Sequence, residues 1–310
     1  MIISELCSKC HCSSPKGAKR CTACGAEIVV PNGVMTNAIG MDFVLIPLGA
    51  YVMGNNESDE GDFAGFDEDE IEKSKKKGVE PEKPDSPWEA LGDWVEDDDE
   101  YPVTVVEVSK GFYLGRTQVT QGQWKALMGY NNSVFSGNDN LPVENVSWHE
   151  AQEFILKLNQ YEPGFSFRLP SEAEWEYSCR AGSVWSFSVP NFWHEENSHG
   201  ITHPVGHHSP NGFGMFDMHG NVWEWCEDWY DANFLRNLRH TKNSNSEATY
   251  GPGQKIAVDP MGPSTGEFKV MRGGSWDARR VDCRSSIREK RTPDARLQDL
   301  GFRVVATLVP

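Results

Sequence analysis

Four cysteines open the chain in two close pairs, Cys7-Ser-Lys-Cys10 and Cys21-Thr-Ala-Cys24, ten residues apart. Two thiolate pairs at that spacing can close a tetrahedron around zinc. The segment His11 to Arg20 carries few apolar groups, so metal binding rather than burial would supply its folding energy. The bland alternative is a disordered tail of unliganded thiols, and Cys12 reads as a bystander. Cys179 and Cys226 stand beside aromatic residues and read as small buried hydrophobes. Cys283 lies among Arg279, Arg280 and Arg284, which would favour a thiolate if the group were accessible. Trp193-His-Glu-Glu-Asn-Ser-His199, with His203, His207 and His208, has spacings that fit no compact ligand set, so surface histidines are expected. A phosphate loop, a nucleophile elbow and a zinc-protease helix are all missing from the sequence.

Charge narrows the partners. The chain of 310 residues carries a formal net charge of −17, and the stretch Glu57–Glu100 alone holds 19 acidic and 5 basic residues. The remainder is nearly neutral. Nucleic-acid affinity comes from cationic contacts to phosphate, so a nucleic-acid partner is not expected. Such a run cannot bury enough surface to order itself, and residues 56–100 read as a mobile insertion. Thiol pairs without an export signal point to metal and to the cytoplasm, and no apolar run is long enough to span a membrane.

Around this chemistry the elements are short. Phe43 to Gly54, broken by Pro47 and Gly49, reads as two strands, followed by strands at Val103–Val108 and Gly111–Gly115. Thr120-Gln-Gly-Gln123, Ser147-Trp-His-Glu150 and Ser171-Glu-Ala-Glu174 are capping boxes that start three helices. Val119 and Trp124 stand at hydrophobic-staple positions, and Ala151, Phe154, Ile155 and Leu158 form an apolar stripe. After Arg180 the pattern is loops rich in Gly, Pro, Asn and Trp, with short strands such as Lys269–Met271 and Phe302–Val305. The expected class is α+β with much irregular backbone. The organisation is a zinc ribbon at 1–30, a linker at 31–40 and one domain at 41–310.

The first pairs resemble the zinc ribbons found at the ends of many bacterial proteins. A wider resemblance rests on Val119-Thr-Gln-Gly-Gln-Trp124, Leu141-Pro-Val-Glu-Asn-Val-Ser-Trp148 and Phe167-Arg-Leu-Pro-Ser-Glu-Ala-Glu-Trp-Glu-Tyr177. It continues in Gly214-Met-Phe-Asp-Met-His-Gly-Asn-Val-Trp-Glu-Trp225, Arg272-Gly-Gly-Ser-Trp276 and Gly301-Phe-Arg303. In that order these motifs look like the sulfatase-modifying factor family. The resemblance implies a C-type-lectin-like fold. It also implies an oxidoreductase that converts a sulfatase cysteine to formylglycine with copper and oxygen.

Residue by residue, the carry-over departs from the enzyme. Active members place two copper-binding cysteines after the Arg-Gly-Gly-Ser segment. Here the first position is Ala278 and the second is Cys283, leaving Cys283 and Ser275 as the catalytic candidates. One thiolate cannot make a two-coordinate copper(I) site, so copper is not expected unless Cys179 or Cys226 substitutes in space. The resemblance also implies a structural calcium ion held by the side chains of Asp217 and Glu224 and the carbonyls of Gly220 and Val222. Arg272, Arg284, Arg288 and Arg303 are expected to brace loops from within. Asp277, Arg279, Arg280, Asp282, Glu289, Lys290, Arg291 and Gln298 are then left as the exposed ligand-binding set. The expectation is a non-catalytic module that binds a protein or small molecule through residues 277–299. The alternative is a metal-dependent oxidoreductase of the formylglycine type with a rearranged site. Similar scaffolds serve as variable ligand-binding proteins, but mutation at the adenines of AAC-type codons would not readily yield Glu289, Lys290 or Gln298.

Overall fold

The computed structural model describes residues 34–55, 99–240 and 256–309, together with two short strands near the start, β1 (Ser4–Leu6) and β2 (Ser13–Pro15). These two pair antiparallel. Cys7, Cys10, Cys12, Cys21 and Cys24, and the acidic run from 56 to 98, lie outside the described residues.

Among the described residues the domain carries three sheets. The largest joins β3 (Met35–Thr36), β4 (Asp42–Ile46), β7 (Phe112–Gly115), β14 (Val305–Leu308) and β8 (Phe165–Arg168), in that order. A second orders β10 (Ala257–Val258), β6 (Thr104–Val108) and β5 (Gly49–Met53). The third, which carries the site, orders β12 (Glu289–Arg291), β11 (Lys269–Arg272), β9 (Trp223–Trp229) and β13 (Leu300–Phe302). With these few helices, the class is the expected mixed α+β.

Three helices begin where their caps require. Helices α1 (Gln121–Met128), α2 (Trp148–Tyr161) and α3 (Glu172–Arg180) each start with a complete reciprocal capping box on Thr120, Ser147 and Ser171. In α2 the stripe Ala151, Phe154, Ile155 and Leu158 is buried as its spacing demands. That face meets α1: the Trp124 ring stacks on Phe154 with centroids 5.6 Å apart, and Phe302 meets both edge-on. Large aromatic area in these geometries ties the two helices to β13.

Three elements differ from the sequence expectation. Phe302–Val305 is not one strand: Phe302 ends β13 and Val305 begins β14 in another sheet. Arg303 sits at the break and turns fully inward. Trp223–Trp229 forms the central strand β9, which a single sequence hides because its first four residues are all buried and nothing alternates. A short helix, α4 (Phe234–His240), also stands where loop was expected.

The end of the acidic run is anchored. Glu100 is 3% exposed and pairs with Arg284 at 2.6 Å. Arg288 grips Glu172 through two nitrogens and also reaches Asp99 at 3.5 Å. Asp99 and Glu100, counted in the insertion from composition alone, are therefore part of the packed domain. Arg272 adds a pair to Glu176 and donates to the carbonyls of Ser285, Ser286 and Ile287. Arg272, Arg284, Arg288 and Arg303 are all buried, as the bracing role requires.

Candidate functional site

The chain leaves β11 at Arg272 and turns through Gly273 and Gly274, both at positive φ. A side chain at Gly274 would collide with the sulfur of Cys283. That close approach packs the segment 275–283, including a short 3-10 turn at Arg280–Cys283, back onto the strand end. Cys283 is fully buried with Phe187, Val189 and Phe192. Its Sγ points to the Arg279 carbonyl at 3.6 Å. Burial pushes the thiol up to about 12, so the neighbouring arginines do not make it a thiolate near neutrality.

Cys179 and Cys226 belong to a different apolar cluster. Cys179 Sγ lies 3.6 Å from His219 Nε2 and 3.5 Å from Ser285 Oγ, and burial raises it to about 12. Burial raises Cys226 well above the usual thiol range. Among the described residues, no group of three or more His, Cys, Asp and Glu is arranged to hold a metal ion.

Ala278 opens instead onto a cavity of about 190 Å³ lined by Trp223, Ser275, Asp277, Ala278, Asp282, Ile287, Glu289 and Asp299. Ser275 Oγ donates to Asp299 Oδ2 at 2.9 Å and accepts from the Asp277 amide. Asp282 receives two hydrogen bonds from Arg279 at the exposed rim, and Glu289 is 3.3 Å from Arg291. Strand alternation explains which members of the candidate set meet here. Glu289 faces the cavity, whereas Lys290 on the opposite face of β12 lies 4.1 Å from the centroid of the Tyr230 ring. Arg280 is also drawn away, over the rings of Phe187 and Phe192. Gln298 is exposed, and its carbonyl accepts from Trp276 Nε1. Of the eight candidates, Asp277, Asp282 and Glu289 line the cavity, Arg279 and Arg291 pair with two of them, and Arg280, Lys290 and Gln298 are not part of its lining.

Sequence reasoning missed Glu144. It is 0% exposed, accepts from the Phe135 amide at 2.9 Å, and leaves Oε2 without a partner. Burial raises its carboxyl to about 7, and the charge of Asp299 adds to the shift. The only signal was an acid inside the apolar run Leu141 to Val146. A carboxyl raised on folding contributes stability that is present below its unfolded value and lost as pH rises through the folded one. We therefore expect Glu144→Gln to match the wild type near pH 5 and to exceed it in melting temperature at pH 8. Equal differences at the two pH values would show that Glu144 does not titrate in this way.

A second constellation surrounds Gln118. Its Nε2 lies within 3.3 Å of the carbonyls of Asp217, Gly220 and Val222, and 3.1 Å from Glu224 Oε1. Asn221, at φ 63, fixes the amide by donating to its Oε1. An –NH₂ group has two hydrogens, so it cannot serve four acceptors. Of the oxygens expected to hold calcium, the Gly220 and Val222 carbonyls and Glu224 Oε1 converge on the Gln118 amide nitrogen, joined by the backbone carbonyl of Asp217 rather than by its carboxylate; an all-oxygen set of this kind is chemically suited to calcium. Glu224 is held from behind by Arg303 and by Trp175 Nε1 at 2.7 Å. Asp217 Oδ2 accepts from the Gly206 amide, and burial lifts its carboxyl to about 6.

Of the histidines expected at the surface, His199 and His207 are exposed, while others gather around one ring. His203 stacks on Trp193 with centroids 3.7 Å apart, and His207 and His208 approach the same ring. His194 is 5% exposed. Trp193 bridges to Gly220, so this aromatic group backs the calcium-like loop.

The fold and this site define a lectin-like scaffold built around the Arg-Gly-Gly-Ser turn. The chain belongs to the sulfatase-modifying factor family: the family's description, sulfatase-modifying factor enzyme 1-like domain, matches residues 32–308. It is 31% identical over 208 residues to a formylglycine-generating enzyme of Streptomyces coelicolor, covering 60% of this chain and 58% of that enzyme. It is 31% identical over 172 residues to serine/threonine-protein kinase pkn1 of Chlamydia pneumoniae, covering 52% of this chain and 23% of the kinase. The chain therefore matches less than two thirds of the length of these curated relatives. Among solved structures, Treponema denticola variable protein 1 superposes with a TM-score of 0.62 and 25% identity, covering 87% of this chain and 98% of that one. Among the described residues, no helix is long and apolar enough to cross a membrane.

Proposed function

We propose that this chain is a non-catalytic recognition module, binding a protein or small-molecule ligand at the cavity beside Ala278. The observation that carries this reading is the pair of positions after the Arg-Gly-Gly-Ser turn. One is a methyl group, and the other is a thiol sealed among Phe187, Val189 and Phe192. Copper(I) in a two-thiolate site needs two accessible sulfurs. The competing oxidoreductase reading draws on the likeness to formylglycine-generating enzymes, and it requires a second sulfur, which is not among the apolar residues packed with Cys283. Incubating the full chain with copper(I), oxygen and a cysteine-containing sulfatase peptide is expected to give no oxygen uptake and no change in peptide mass. Turnover would replace the binding reading with the enzymatic one.

Two structural metals accompany the proposal. Zinc would be held by Cys7, Cys10, Cys21 and Cys24. Calcium would be held by Asp217, Glu224 and the carbonyls of Gly220 and Val222, where it would neutralise two carboxylates and pin the loop behind the site. Calcium at about a hundred times its dissociation constant would stabilise by about 2.7 kcal/mol, raising the melting temperature by roughly 5–10 °C. Asp217→Asn is expected to lose most of that response. An unchanged response in the variant would place calcium elsewhere.

A further inference from the structure

A second cavity, sharing no residue with the one beside Ala278, lies where the turn between β6 and β7 faces the start of α3. Its volume is about 330 Å³, at the lower end of the roughly 300–1,000 Å³ of small-molecule sites, so it suits one compact metabolite. The buried residues Val108, Phe112, Ala173 and Pro260, with the exposed Met261, form its apolar walls. The walls are pinned in place. Asp259 accepts from the Ser109 amide at 2.8 Å and from the Ser109 hydroxyl, which ties the loop after β10 to the β6–β7 turn. Three residues on, the Gly262 amide donates to Asp228, and Asp228 also accepts from the Glu172 amide at the start of α3. A carbon added at Gly262 would fall on the Trp229 carbonyl oxygen, so backbone packs on backbone there.

Charges of both signs stand unanswered on these walls. Arg168 closes on Glu174 through two bonds of 2.6 Å and donates to the Leu169 carbonyl, which leaves two of its five N–H donors unused among the described residues. Lys110 is exposed and, among the described residues, has no ion-pair partner. The side chain of Glu227 accepts from the neutral amide of Gln152 at 2.8 Å, and that of Asp259 from Ser109; among the described residues neither has a base within ion-pair distance. An anion alone would meet the carboxylates of Glu174, Glu227 and Asp259. A cation alone would leave Lys110 and the spare donors of Arg168 without an acceptor. A molecule carrying both charges beside an apolar body satisfies both groups and the apolar walls together.

We propose that this second cavity binds a free α-amino acid with an apolar side chain. The ligand carboxylate lies toward Lys110 and Arg168, its ammonium toward Glu227 and Asp259, and its side chain against Phe112 and Met261.

The test is a calorimetric or NMR titration of the full chain with leucine. Isocaproate, which lacks the ammonium, and isoamylamine, which lacks the carboxylate, serve as comparisons. Leucine is expected to saturate one site and to bind at least tenfold more tightly than either analogue. Lys110→Met is expected to remove the advantage of leucine over isoamylamine, and Glu227→Gln its advantage over isocaproate. Each should lower leucine affinity at least fivefold. Lys110 is exposed, so its variant is expected to keep the wild-type unfolding midpoint. Absence of saturable leucine binding, equal binding of the three probes, or unchanged leucine affinity in either variant would overturn the proposal. The cavity beside Ala278 has no part in this test, and the recognition reading fails separately, on turnover of the sulfatase peptide.

Discussion

Arg303→Met is expected to lower the stability of the domain by about 3–5 kcal/mol, the usual cost of leaving one member of a buried ion pair uncompensated. Arg303 is 0% exposed, and its Nε and Nη2 both reach Glu224, with Nη2 at 2.6 Å from Oε1. The same guanidinium donates to the carbonyls of Gly115, Phe216 and Asp217. One residue thus joins β7, the loop before Gly220 and the point where β13 passes into β14. Methionine matches the stem but leaves the carboxylate of Glu224 with only Trp175 and Gln118. Lysine restores the charge without the fork, so Arg303→Lys should recover part of the loss. Urea unfolding at pH 7 measures both, and a loss below about 1 kcal/mol in the methionine variant would show that Glu224 is satisfied by other means. If Glu224 faces calcium, adding that ion should restore part of the missing stability.

Gly220→Ala is expected to cost about 3 kcal/mol or more and to abolish the calcium response. Gly220 sits at φ +72, a region where a Cβ is strained, and the added carbon would fall on the Trp193 carbonyl oxygen. This obstacle is backbone, so no side-chain rotation relieves it. Gly220 also donates to the Gly273 carbonyl at 2.7 Å, which couples the calcium-like loop to the Arg-Gly-Gly-Ser turn. A displaced Gly220 would therefore be felt at the cavity as well. A melting temperature within a degree or two of wild type would mean that the loop can yield where the packing says it cannot.

The contrast between what could be read from the chain and what could not has physical causes. Capping boxes are local, with partners three residues apart, so Thr120, Ser147 and Ser171 announced their helices. The internal duty of Arg272 and Arg303 was legible from their motifs, whereas Arg284 and Arg288 lie in none, and the partners of all four were hidden. Those partners come from afar: Glu100 meets Arg284 across 184 positions, and Glu224 meets Arg303 across 79. Nothing local marks Gln118 as the centre of four oxygens or Glu144 as an orphaned acid. Composition alone could not separate Asp99 and Glu100 from the acidic run before them, because only the facing arginines distinguish them. Lys290 shows the converse error. It sits beside two candidates in sequence, yet strand alternation sends it to the opposite face.

Cys283 is expected to hold no copper. The most direct measurement is a competitive copper(I) titration of the full chain compared with Cys283→Ser, since thiols elsewhere in a chain of eight cysteines would add to the total and only the difference reports the site. The account predicts identical stoichiometry in the two proteins. One equivalent of tightly held copper, present in the wild type and lost in Cys283→Ser, would contradict it.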